Sequence, residues 1–152
     1  MLHRILAVTA ATFASLAFTS LALAHATVKT DTGVSESKAG AYETYRLQVP
    51  VEKEIATTEV RLIVPPGLRV GTFQPVPGWT RTVVRDAQGH ITEVTWRGRL
   101  NPMEFQRFLI SARNPADAAT LSWVVHQKYA DGSVVRWDDS SEQTPASKTV
   151  VR

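Results

Sequence analysis

From Tyr42 to Val151 this chain never holds one hydrophobic pattern for long, and that interruption constrains its fold more than any other feature. Residues 42–49 carry Tyr42, Tyr45, Leu47 and Val49 as their larger apolar members. Residues 60–64 are apolar and β-branched, and stop at Pro65-Pro66-Gly67, where a ladder cannot continue. Residues 70–73 and 79–84 flank Pro75-Val76-Pro77-Gly78. Ile91, Val94 and Trp96 follow the Gln88-Gly89 turn. Residues 105–112 and 121–129 are the longest runs, and Asp131-Gly132 turns the second tightly into residues 134–137. Residues 147–151 can close a sheet edge. This rhythm predicts an all-β chain: an antiparallel β-sandwich of immunoglobulin or cupredoxin-like kind, with about eight or nine strands. Only residues 115–120 have helical propensity, over one turn, and residues 138–144 read as a polar loop.

The N-terminus follows a different rule. Arg4 is the basic start of an apolar run over residues 5–21, which closes with Ala22-Leu23-Ala24, a small-x-small cleavage pattern. Residues 1–24 are therefore expected to be a secretory signal peptide, and residues 25–152 one folded domain, periplasmic or extracellular. Removing the leader lowers the formal net charge from +3 to +2. That balance, without a Lys/Arg run, does not suggest a nucleic-acid partner. No later stretch is long and apolar enough for a membrane span. The chain has no cysteine, which excludes disulfides, thiolate metal sites and cysteine catalysis.

Cleavage after Ala24 makes His25 the first residue. Its α-amine and imidazole Nδ1 can then chelate one metal ion in a six-membered ring. The amine pKa of about 7.7–8.0 lets a metal displace its proton near neutral pH. Nitrogen-rich tetragonal donors favour copper(II). Met103 is the sole methionine after cleavage, so a thioether copper(I) site is not expected. A histidine can also follow a signal peptide by accident.

Seven segments occur in order: His25-Ala26-Thr27-Val28; Gly40-Ala41-Tyr42-Glu43-Thr44-Tyr45; Val49-Pro50-Val51-Glu52-Lys53-Glu54; Pro75-Val76-Pro77-Gly78-Trp79; Glu104-Phe105-Gln106; Asn114-Pro115; and Tyr129-Ala130-Asp131-Gly132-Ser133-Val134-Val135-Arg136-Trp137. Together they span nearly all of the mature chain, which resembles the YcnI-like domain family of secreted bacterial copper-binding proteins. The resemblance implies a single-histidine brace: Cu(2+) held by the His25 amine and imidazole and by Glu52, beside Trp137. An indole N–H donates only, so Trp137 is expected to cover the metal or make a cation–π contact. The resemblance also implies copper sequestration or trafficking, with other periplasmic copper-trafficking proteins as partners. Some relatives carry a C-terminal membrane anchor or a further copper-binding region, and the sequence up to Arg152 supports neither.

Each assignment has a competitor. Glu43 or Glu54 replaces Glu52 if the register differs. Trp137 can be an ordinary core residue, as Trp79, Trp96 and Trp123 are expected to be. His126, on the opposite side of its strand from Val125 and Gln127, can supply a second brace histidine or be a half-buried strand residue. His90 follows a turn and is expected to be exposed. A non-enzymatic copper(II) carrier is the leading expectation. A copper-dependent oxidative enzyme resembling the lytic polysaccharide monooxygenases, which needs the second histidine, and a metal-free interaction sandwich are the alternatives. No nucleophile motif such as Gly-x-Ser-x-Gly is present.

Overall fold

The computed structural model describes residues 25–152, so the expected leader lies outside the described residues. Eleven strands are present: β1 (Thr27–Thr30), β2 (Glu36–Ser37), β3 (Tyr42–Pro50), β4 (Thr57–Ile63), β5 (Arg69–Phe73), β6 (Thr80–Arg85), β7 (Ile91–Leu100), β8 (Phe105–Arg113), β9 (Ala119–Tyr129), β10 (Val134–Trp137) and β11 (Ser147–Val151). They form two layers. One sheet runs β1-β3-β8-β5; the other runs β2-β11-β9-β4-β7-β6, with β10 paired to β9 beyond the end of β11. Pairing is antiparallel except for the short β2–β11 contact. Among the described residues no helix is long and apolar enough to cross a membrane.

Period-2 alternation explains the layers. In β9, Leu121, Trp123, Val125, Gln127 and Tyr129 point inward and are buried, while the residues between them are partly or fully exposed. In β3 and β8 the inward rows are Tyr45, Leu47 and Val49, and Phe108, Ile110 and Ala112. Aromatic pairs join the sheets: Tyr45 lies 4.8 Å from Trp123, and Phe108 4.6 Å from Trp96. Each such pair adds about 0.5–1.5 kcal/mol beyond area burial. The Tyr45 hydroxyl donates to Asn114 Oδ1 at 2.6 Å, and Asn114 Nδ2 reaches Ser37 Oγ and the Lys38 carbonyl. That network satisfies the polar groups where β2, β3 and β8 meet.

The all-β sandwich matches the expectation, and the hairpin at Asp131-Gly132 forms, with Gly132 at φ +84°. Three details differ. The strands number eleven, because β1 and β2 carry too few apolar residues to announce themselves and exist by pairing with β3 and β11. Residues 115–120 form no helix; Ala119 and Thr120 already belong to β9. Trp96 and Trp123 are core, but Trp79 is half-buried: it lies across Gly98, where a Cβ would stand 2.3 Å from the indole.

Candidate metal centre

His25 is placed by the strand that follows it. Ala26 and Val28 are buried, and Thr27 pairs with Gln48 in the antiparallel β1–β3 ladder. Continued by two residues, that register brings His25 alongside Pro50, at the end of β3 that leads to Glu52. The Ser147 hydroxyl fastens this end to the other sheet, accepting from the Val28 N–H at 2.9 Å and donating to its carbonyl at 3.0 Å. Residues 25–28 are thus tied to both layers.

Beyond Pro50 the ladder stops, since the next residues turn away. The Val51 N–H still bonds the Glu104 carbonyl at 3.0 Å. Lys53 donates to Ser133 Oγ at 2.8 Å and sits 4.5 Å over the Tyr129 ring, anchoring the segment to the β9–β10 turn. Between these anchors Glu52 keeps an exposed surface, yet burial raises its carboxyl above the ordinary value and the charge of His25 pulls it back down. A carboxylate in that position is partly desolvated and has a histidine as its electrostatic neighbour. A cation shared with that histidine would relieve both costs.

Trp137 ends β10 opposite Val125 and is 2% exposed. Its ring lies 5.4 Å from the His25 ring, tilted by 49°. Its Nε1–H donates to Gln127 Oε1 at 3.2 Å. Gln127, fully buried, donates through Nε2 to the Pro50 carbonyl and to Thr57 Oγ1, both at 2.7 Å. One amide therefore ties the indole to the strand end that carries Glu52. With its N–H engaged, Trp137 meets His25 through its π-system.

The structure thus gathers His25, Glu52 and Trp137 at one end of the sandwich. Trp137 is both core and neighbour of His25, so its two readings coexist. Glu43 sits at the other end of β3, about 24 Å along the strand from Pro50, and bonds Ser37 Oγ at 2.9 Å. Glu54 is exposed in the turn after Lys53. His126 points to the outer face of its sheet, opposite Arg61 and Arg136 in the ladders, away from Gln127 and Trp137. His90 is less exposed than expected: its Nδ1 stands 3.3 Å from Asp86 in the β6–β7 turn. Among the described residues no three His, Asp or Glu side chains cluster as a metal site.

Sequence reasoning missed Gln127 and Tyr129. Burial raises the Tyr129 phenol, while contact with the Glu52 backbone lowers it and the Glu52 charge raises it further. Tyr129 therefore walls the site beside Glu52. Gln127 did leave a signal: a lone amide in an inward row otherwise made of Leu121, Trp123, Val125 and Tyr129. A buried polar residue in such a row must find partners, but which partners cannot be read locally.

The family described as "Domain of unknown function (DUF1775)" matches residues 25–150. Over 138 residues, 88% of this chain, the sequence is 38% identical to the copper-binding protein CutI of Bacillus subtilis (strain 168), and the match spans 65% of that protein's length. An uncharacterized protein from Nocardia farcinica with an immunoglobulin-like fold superposes with a TM-score of 0.71 at 30% identity, covering 84% of this chain and 97% of its own. A cohesin module of a Clostridium perfringens ATCC13124 family 33 glycoside hydrolase aligns at TM-score 0.53 and 9% identity, over 84% of this chain and 96% of the module, and shows the fold alone. The family match over residues 25–150, joined to an immunoglobulin-like sandwich, places this chain in the DUF1775 family, as the YcnI-like resemblance implied.

Proposed function

We propose that this protein is exported, loses residues 1–24, and binds one copper(II) ion through the His25 α-amine and Nδ1 and the Glu52 carboxylate, with Trp137 covering one side. The carrying observation is the approach of His25 to Trp137 at 5.4 Å beside a partly desolvated Glu52. The ion is cargo: one bidentate residue and one carboxylate make a small donor set, and few bonds must break for release. The protein acts outside the cytoplasm, sequestering copper or passing it to other copper-trafficking proteins. The copper-binding relative supports the metal, and the absence of cysteine supports copper(II) over a thiolate-bound ion. An oxidative enzyme with a two-histidine brace is disfavoured because His126 and His90 lie on the outer sheet face and in a distant turn.

The test is copper(II) titration followed by electron paramagnetic resonance on two forms of the chain. One begins at His25; the other carries a single Gly before it, which moves the amine out of chelating position. One tetragonal copper in the first form, lost in the second, supports the brace. Equal binding by both forms refutes it.

A further inference from the structure

The outer faces of the two sheets differ in how their charges are balanced. On the larger sheet, Arg61 pairs with Glu93 at 2.5 Å and Arg97 with Glu59 at 2.9 Å. The outer face of the β1-β3-β8-β5 sheet carries Lys29, Arg46, Arg107, Arg113 and Arg69, and none of them forms an ion pair among the described residues. Asp31 stands at the rim where β1 ends; Arg46 donates to its backbone carbonyl at 3.4 Å, and its carboxylate forms no ion pair among the described residues.

The cations are also placed against one another. Lys29 lies directly opposite Arg46, and Arg69 directly opposite Arg113. Like charges facing across a ladder destabilise it, and the acceptors that Arg46, Arg107 and Arg113 do reach, the Asp31 carbonyl, Gln48 Oε1 and the Gly40 carbonyl, are all uncharged, so an external anion would offset that cost. Its two ends carry exposed aromatics: Tyr42 is 78% exposed with the Arg113 guanidinium over its ring, and Phe105 is 56% exposed with Arg107 over its ring. Between them a recess of about 250 Å³ is lined by Thr27, Lys29, Arg46 and Gln48. The polar groups of that lining are hydroxyl, amide and cationic, a set that can meet phosphate oxygens.

We propose that this face docks onto an anionic phospholipid surface. The cations spread over roughly 15 by 20 Å of the sheet face, as strand spacing and the six residues from Arg107 to Arg113 set it. A plane of phosphates satisfies all of them together. A protein partner would have to present an equally extended acidic surface. Aromatic rings at the margin suit the headgroup region, and each cation near such a surface adds about fivefold to binding, weakened by salt. The contact needs neither the His25 amine nor Glu52, so it stands or falls apart from the copper reading.

The test is co-sedimentation of the chain starting at His25 with vesicles of 30% phosphatidylglycerol in phosphatidylcholine, against phosphatidylcholine alone, at low and high salt. The face variant is Lys29→Gln/Arg107→Gln/Arg113→Gln. The control removes equal charge from the other face: Arg61→Gln/Arg97→Gln/Lys128→Gln. Circular dichroism melts check folding, and Lys29→Glu alone serves if the triple variant does not fold. Expected are binding to the anionic vesicles only, its loss in high salt, a drop on the order of 100-fold for the face variant, and little change for the control. No binding to anionic vesicles, or equal losses in both variants, overturns the proposal. Binding to soluble poly-glutamate without vesicle binding overturns it in favour of an acidic protein partner.

Discussion

Replacing Gln127 by Leu tests whether one buried amide holds the His25 end of the sandwich together. The two side chains have similar volume, so the change removes hydrogen bonds without leaving a large cavity. Three partners lose a bond: the Trp137 Nε1–H, the Pro50 carbonyl and the Thr57 hydroxyl. Thr57 keeps its contact with Tyr129, and the Pro50 carbonyl is only partly buried, so those two are partly compensated. The Trp137 N–H has no such outlet, since the residue is 2% exposed. An unsatisfied buried group costs about 1–3 kcal/mol. With partial contributions from the other two, the expected loss is about 2–4 kcal/mol, a large share of the ~5–15 kcal/mol that stabilises a typical domain. For a domain of this size that lowers the melting midpoint by about 10 °C. The assay is urea unfolding of the metal-free chain from His25, followed by tryptophan fluorescence. A loss below about 1 kcal/mol, with copper binding intact, would refute the argument: Trp137 and Pro50 would then have found other partners, and Gln127 would not position them.

Other outcomes follow from the same geometry. Burial raises the Glu52 carboxyl, so its charged form costs stability once the pH rises through that raised value. Glu52→Gln should therefore melt higher than the parent at pH 7 without metal, lose that advantage near pH 4, and weaken copper binding by about tenfold or more; a lower midpoint at pH 7 contradicts this. His126 is depressed below its ordinary 6.5, first by burial, then by Arg61 and Arg136, against the opposing pull of Asp138 and Glu93. Stability present above about pH 6.5 should fall as the pH drops toward the folded value, and His126→Gln should flatten that slope in urea titrations between pH 5 and 7.5; an unchanged slope assigns it elsewhere. Gly98→Ala places a methyl 2.3 Å from the Trp79 indole, which rests edge-on to Phe108 at 5.2 Å. Displacing it should cost about 1–3 kcal/mol and red-shift tryptophan emission, and a variant as stable as the parent would show that Trp79 moves freely.

The sequence by itself determined the class of fold and the residues to watch. Strand period is a local property, so the alternation of β3, β8 and β9 and the stops at Pro65-Pro66-Gly67 and Asp131-Gly132 were legible without a structure. The metal-binding promise of His25 was legible too, because chelation by an N-terminal histidine needs only its own atoms. The strands β1 and β2 were not, since little in Thr27–Thr30 or Glu36–Ser37 demands a strand until β3 and β11 lie beside them. That Glu52 lies near His25 and Glu43 does not depended on the β1–β3 register, which sets His25 at the Pro50 end and leaves Glu43 at the other. The same holds for Gln127, whose partners Pro50, Thr57 and Trp137 come from three other segments of the chain. Those contacts, like the pairing of Lys29 with Arg46 and of Arg69 with Arg113, are fixed by long-range ladders. Pairing between distant segments depends on how the whole core closes, and no local pattern encodes it.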